Sequence, residues 1–289
     1  MNKETKHAVI VVIAAFVTII AIFGGISSAS GVSPFQTVVE SGSMQHGIGS
    51  QIGVIDTGDV IILKNKEKVN IQTYVDGYHT GYMKFGGYGD VIIYDRGPDY
   101  NPVIHRAILW LDYNNDGTWN APSLEFYPYG TKWSCTSGND FMALSGTLTL
   151  YGLGYKEDRD ASVSLTELAK WSKSGYLTMG DYNPRTDQPS NIPGVNGLIS
   201  YEQIRSVAWF EIPWLGAIKM TYNGNGNVLD VYVPNTKGCL VATILLIIFL
   251  LAGISFLLDH FYYRKIRREL KRDINAPAPL FPLEPKNRE

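Results

Sequence analysis

Two apolar runs constrain this chain more than any other feature. HAVIVVIAAFVTIIAIFGGIS, His7 to Ser27, and CLVATILLIIFLLAGISFLL, Cys239 to Leu258, each hold about 20 residues without an Asp, Glu, Lys or Arg. As helices they are long enough to cross roughly 30 Å of hydrocarbon. Lys3 and Lys6 precede the first run, and RKIRRELKR, Arg264 to Arg272, follows the second. The positive-inside bias then puts both termini in the cytoplasm and the stretch between on the exterior face of a cell membrane. The expected organisation is a cytoplasmic tip and first span over 1–28, an exterior domain over 29–238, a second span over 239–259 and a basic cytoplasmic tail over 260–289. A cleavable signal peptide competes for the first run, because Ser28 to Ser30 reads SAS, but the run exceeds the roughly 7–15 residues of an ordinary signal-peptide core.

The exterior stretch reads as strand. GDVIILKNK (Gly58 to Lys66), KVNIQTYVDGY (Lys68 to Tyr78), GDVIIYDRG (Gly89 to Gly97) and VIHRAILWLD (Val103 to Asp112) are β-branched or aromatic runs bounded by Gly, Asp, Asn and Pro. SGTLTLYGLGY (Ser145 to Tyr155), GYLTMGD (Gly175 to Asp181), EIPWLGAIKMTY (Glu211 to Tyr222) and NVLDVYV (Asn227 to Val233) continue the series. The expectation is a mainly β domain, a sandwich or partly open barrel, between two membrane helices. One short helix is predicted at SLTELAKWSK, where Ser164 and Glu167 form a capping-box signature. Trp209 and Trp214 read as packed strand residues, with a membrane-interface role as the competing reading. A net charge of −2 over 289 residues gives no reason to expect a nucleic-acid partner. Cys135 and Cys239 do not make a disulfide framework.

Chemistry is sought in SGSMQHG, Ser41 to Gly47, just beyond the first run. A serine becomes a strong nucleophile only when a base takes its proton and donors stabilise the oxyanion that forms. Between the apolar runs the histidines are His46, His79 and His105. His46 is close in sequence but sits in a glycine-flanked turn, and His79 lies in a Gly- and Tyr-rich loop or hairpin. His105 stands within a strand, where geometry can be held, although a half-buried structural histidine would read the same way. Asp181 and Asp187 fall in a turn-rich loop, LTMGDYNPRTDQ, where aspartates also serve plain turn chemistry. DYNNDG, Asp112 to Gly117, follows the start of a calcium loop, but Ser123 replaces the bidentate Glu, so a polar turn is the preferred reading.

The order of these pieces resembles the type I signal peptidases of the archaeal and endoplasmic-reticulum kind: an apolar run, GSM, GDVIIYDRGPDYNPVIHRAI, GDYNPRTD and then IPWLG. The resemblance covers a little over half of the exterior stretch. It implies that Ser43 is the nucleophile and that Ser41 and Met44 lie at the oxyanion and substrate site. It also implies that His105 is the general base, where bacterial relatives and repressor proteases carry lysine, and that Asp187 orients it. Asp181 would support the loop or His105, and which aspartate orients the histidine stays open. Gln45 and His46 depart from the family's usual residues after SGSM, and GDYN replaces GDNN, leaving the role of Tyr182 in doubt. Roughly 112–172 reads as an inserted subdomain. The implied activity is removal of signal peptides after small residues, with exported preproteins, membrane lipid and the protein-export channel as partners and neither cofactor nor metal. The competing reading is an inactive, membrane-anchored binding or structural subunit on the same fold. A soluble self-cleaving repressor protease is disfavoured by His105 and by the two apolar runs.

Overall fold

The computed structural model describes residues 3–274. The expected tail beyond Ile274 lies outside the described residues, as do the side chains of Lys3 and Lys6. In chain order the elements are α1 (Lys3–Ser30), β1 (Gln36–Val38), β2 (Val60–Lys64), α2 (Tyr74–Thr80), β3 (Met83–Lys84), β4 (Gly87–Tyr88), β5 (Val91–Tyr94) and β6 (Val103–Tyr113). There follow β7 (Trp119–Asn120), β8 (Trp133–Cys135), β9 (Thr147–Leu153), β10 (Arg159–Ser164), α3 (Leu165–Leu168) and β11 (Gly175–Met179). The last described elements are β12 (Ile204–Ile212), α4 (Gly216–Tyr222), α5 (Gly226–Tyr232) and α6 (Thr236–Ile274). It divides into two units, Met1–Leu240 and Val241–Glu289. Stretches of 19 and 29 residues, Val12–Ser30 in α1 and Thr236–Arg264 in α6, are long and apolar enough to cross a membrane.

The main sheet is antiparallel, in the order β1-β2-β12-β5-β6-β11, with β7 paired to β6. Among the described residues the sheet is open, with β1 and β11 as its terminal strands, and β11 makes an isolated bridge on its outer side, Tyr176 to Ile199. β5 shows why its sequence is an uninterrupted apolar run: Val91 and Ile93 enter one buried cluster while Ile92 and Tyr94 enter another on the opposite face. A strand covered on both faces has no polar side to alternate with.

The inserted stretch forms a second sheet, β10-β9-β8. It has no private core: Trp119, Trp133, Leu148 and Leu150 share one cluster with Tyr74 of α2, Ile108 of β6 and Leu177 of β11. Both tryptophans are essentially fully buried, and their indole N–H groups are satisfied, Trp119 by Leu165 O at 3.2 Å and Trp133 by Tyr127 O at 2.7 Å. Truncating either removes about 3–5 kcal/mol of packing, so the insert and the main sheet stand or fall together.

The mainly β expectation is corrected. Strand accounts for about 24% of the chain and helix for about 35%, much of the helix coming from the 28 residues of α1 and the 39 of α6. Three predicted strands are partly or wholly helical. Within Lys68 to Tyr78, Thr73 caps α2: its hydroxyl accepts from Asp76 N and the Asp76 carboxylate accepts from Thr73 N. The alternation of Val69 and Ile71 masked that cap. Glu211 to Tyr222 leaves β12 at Ile212, and Pro213, which has no N–H for a ladder, precedes α4. Asn227 to Val233 falls on α5 and its C-cap Val233, with Leu229 and Val233, four apart, buried against Ala217 and Met220 of α4. The helix predicted at Ser164 is present as α3, capped by the Ser164 hydroxyl accepting from Glu167 N.

Candidate active site

Ser43 lies in the turn between β1 and β2, where Gln45 N bonds back to Gly42 O at 3.3 Å. A Cβ at 42 would overlap Gln45 Oε1 and stand 2.6 Å from the Tyr232 ring, so the absence of a side chain at Gly42 lets both pack against the turn. His105 is on β6, paired in register with Ile92, and is 3% exposed. Its Nε2 is 3.0 Å from Ser43 Oγ and its Nδ1 is 2.7 Å from Asp187 Oδ2. With Nδ1 carrying the proton toward Asp187, Nε2 is free to accept from the serine hydroxyl. These three side chains, 62 and 82 residues apart in sequence, form one hydrogen-bonded line.

Asp187 is pinned from several sides. Its backbone N–H bonds Thr178 O at 2.8 Å, and Oδ2 also accepts from the hydroxyls of Tyr94 and Thr178, each at 2.6 Å. Burial, followed by the charge of Asp187, pushes the Tyr94 phenol above its ordinary range, which keeps it a donor.

The second aspartate belongs to a different network. Consecutive strand residues point to opposite faces; His105 takes Asp187 and its neighbour Arg106 takes Asp181, with Nε at 2.7 Å and Nη2 at 2.5 Å from the carboxylate. Asp181 therefore does not support His105 directly. Burial works to raise its pKa, but the charge and hydrogen bonds of Arg106, with His46 adding to them, overcome that and hold it at about 2. Arg106 is itself fully engaged, its Nη1 donating to the carbonyls of Lys84, Gly87, Tyr88 and Gly89.

His46 faces Asp181, not Ser43, with Nε2 at 3.0 Å, and its ring stacks on Tyr155 at 4.3 Å between centroids. His79 is in the last turn of α2, a helix and not the expected loop, and stacks on Phe126. The loop bearing Asp181 also grips the serine turn: Tyr182 N donates to Ser43 O at 2.9 Å. The insert holds the same loop from behind, the Arg159 guanidinium bonding Asp181 O and Asn183 O.

Ser41 is exposed, and its Oγ lies 3.4 Å from Ser43 Oγ. Met44 is buried at 2% and packs under the turn with Val39 and Ile61. A cleft of about 1080 Å³ runs past Ser43, walled on one side by the β1 segment and on the other by Val103, Ile104 and His105, with Leu63, Ile93 and Met44 also lining it. Among the described residues no strand pairs with the outer side of β1. Trp209 and Trp214 are both half-buried; Lys64 lies over the Trp209 ring, and the Trp214 indole donates to Ser50 Oγ at 2.8 Å. In DYNNDG, Asp112 and Tyr113 end β6 and the rest forms the connection to β7, where Asp116 accepts from both the backbone and hydroxyl of Thr118. Among the described residues no group of three or more His, Cys, Asp or Glu side chains is arranged to hold a metal ion.

Sequence reasoning missed Tyr94, Thr178, Arg106, Tyr155 and Arg159. Of these only Arg106 left a signal: it adjoins His105 on a strand, so it had to face the other way and take a different partner. The geometry is that of a serine hydroxyl hydrogen-bonded to a carboxylate-oriented imidazole, an arrangement that can carry acyl transfer. No model of a known protein family matches the chain, and no curated protein matches it.

Proposed function

We propose that the chain is a membrane-bound serine endopeptidase that removes N-terminal signal peptides from exported preproteins, acting as the archaeal and endoplasmic-reticulum type I signal peptidases do. The observation that carries this reading is the line Ser43 Oγ, His105 Nε2, His105 Nδ1, Asp187 Oδ2, at 3.0 and 2.7 Å, opening onto a cleft. Ser43 lies 13 residues beyond the end of α1 at Ser30. That spacing suits a substrate whose apolar segment is still in the bilayer and whose scissile bond is just outside it.

In the proposed reaction His105 Nε2 takes the Ser43 hydroxyl proton as Oγ attacks the scissile carbonyl carbon. The imidazolium that forms is stabilised by Asp187, which stays ionised. The Ser43 N–H and the Ser41 hydroxyl donate to the tetrahedral oxyanion. Collapse breaks the peptide C–N bond, and His105 returns the proton to the leaving amine. Water, deprotonated by the same imidazole, then attacks the acyl ester and releases Ser43. The peptide lies extended in the cleft and adds along the free edge of β1, with small residues before the cut seated against Leu63 and Ile93.

The test is cleavage of a preprotein by the purified full-length chain in detergent, against Ser43→Ala and His105→Ala. Wild-type cleavage, with at least about a 10³-fold loss of kcat in both variants, supports the proposal. An active His105→Ala protein refutes the base assignment, and a wild-type chain that cleaves nothing favours the inactive binding subunit.

A further inference from the structure

Outside α1 and α6, the four most exposed large apolar side chains among the described residues are Tyr222 at 91%, Ile48 at 83%, Ile52 at 74% and Val231 at 73%. They fall on three segments that the fold joins. Ile48 and Ile52 flank Ser50, whose N–H and C=O are both bonded by the Asn235 side-chain amide at 2.8 and 3.0 Å. Tyr222 ends α4 and Val231 lies in α5, and the inner faces of these two helices share the buried cluster of Ala217, Met220, Leu229 and Val233. Gln45 Nε2 bonds Tyr232 O at 2.9 Å, closing the assembly.

Chain length limits where this surface can be. α5 ends at Tyr232 and α6 begins at Thr236. The apolar run opens at Cys239, seven residues beyond Tyr232. Even fully extended, that connection reaches no more than about 25 Å, and its helical part rises only about 1.5 Å per residue. A bilayer entered by α6 therefore begins close to α5. The nearby lysines are paired, Lys219 with Glu40 at 3.2 Å and Lys237 with Asp230 at 2.7 Å, so the patch presents apolar groups and not a basic field.

We propose that α4, α5 and the 47–53 loop form a lipid-docking surface, seated at the boundary between headgroups and acyl chains of the membrane that α6 enters. The surface is joined to the serine turn, because the Tyr232 ring packs against Gly42 and Gln45 bonds its carbonyl. Docking then fixes the height of Ser43 above the bilayer. The inference rests on α6 spanning a bilayer and stands whether or not the protein cleaves peptides.

The full-length chain, with Cys135 and Cys239 replaced by Ala, is reconstituted into phosphatidylcholine vesicles carrying spin-labelled lipid. An environment-sensitive fluorophore is placed at Tyr222→Cys, Val231→Cys or, as the control on the insert, Met142→Cys, whose native residue is 47% exposed. The expected result is blue-shifted emission and loss of fluorescence to the lipid quencher at 222 and 231 but not at 142. Labels at 222 and 231 that stay as bright as the one at 142, in protein that resists carbonate extraction, would overturn the docking surface and leave the patch to a protein partner. Extraction of the chain by carbonate would overturn the span as well as the surface.

Discussion

Gly180→Ala is a one-methyl change aimed at the point where the two halves of the site meet. A Cβ at 180 would stand 2.5 Å from Ser43 O, 2.8 Å from Asn183 Nδ2 and 2.9 Å from His105 Nε2. The Ser43 carbonyl cannot yield freely, because it accepts from Tyr182 N at 2.9 Å within the same loop. To restore ordinary contact near 3.4 Å, the serine turn and the loop must part by about 0.9 Å, and the base is pushed from the other side. A displacement of that size turns the 3.0 Å Ser43–His105 hydrogen bond into a gap. Misplacement of reacting groups by about 1 Å costs on the order of 10²-fold in rate, or about 2.7 kcal/mol in the barrier. Overpacking should lower stability by about 1–3 kcal/mol, so the protein stays folded. The assay is kcat and KM on a fluorogenic signal-sequence peptide, with thermal unfolding in parallel. The expectation is a fall of about two orders of magnitude in kcat at nearly unchanged KM. A Gly180→Ala enzyme within a few-fold of wild type would show that the Ser43 turn and the Asp181 loop are not coupled as argued.

Arg159→Ala, which frees the carbonyls of Asp181 and Asn183, should lower kcat about tenfold through loss of loop positioning. Arg159→Lys should recover part of that rate in the same peptide assay; equal loss in both would show that the insert does not hold the loop through this side chain. Arg106→Met leaves the buried Asp181 charge without its main partner and should cost about 3–5 kcal/mol in denaturant unfolding. Asp181 is held at about 2 against an ordinary value of 3.8, so its contribution is present above pH 3.8 and is lost as pH falls toward 2. Glu211 behaves oppositely: burial, despite a bond from Gly53 N, and with Asp56 nearby, pushes it up from 4.5 to about 7. Between those values the folded state holds the extra proton, so stability falls as pH rises through the window. Glu211→Gln should therefore raise the melting temperature at pH 8 and leave it nearly unchanged at pH 4.5; equal effects at both pH values would refute the assignment.

Much of the fold was legible where one local rule dominated. The apolar runs, the strands at Val60, Val91 and Val103 and the Ser164 cap each follow from a pattern within a dozen residues. The helices α2, α4 and α5 depart from the strand reading for two reasons: at α2 the alternation of Val69 and Ile71 hides the Thr73 cap, and at α4 and α5 short apolar segments fit either state until the two helices pack on each other. Met220 and Leu229 become helical partners only once α4 and α5 pack.

The same division runs through the site. By itself the sequence determined which residue types were available: a serine in a glycine turn beyond an apolar run, a histidine within a strand, and two aspartates six apart in one loop. Tertiary structure decided their pairing. His105 and Arg106 are neighbours in sequence, but the pleat sends them to opposite faces, so one carboxylate goes to the imidazole and the other to the guanidinium. His46, three residues from Ser43, ends on Asp181, while His105, 62 residues away, reaches the hydroxyl. A hydrogen bond depends on distance and direction in space, and those exist only after the strands have paired.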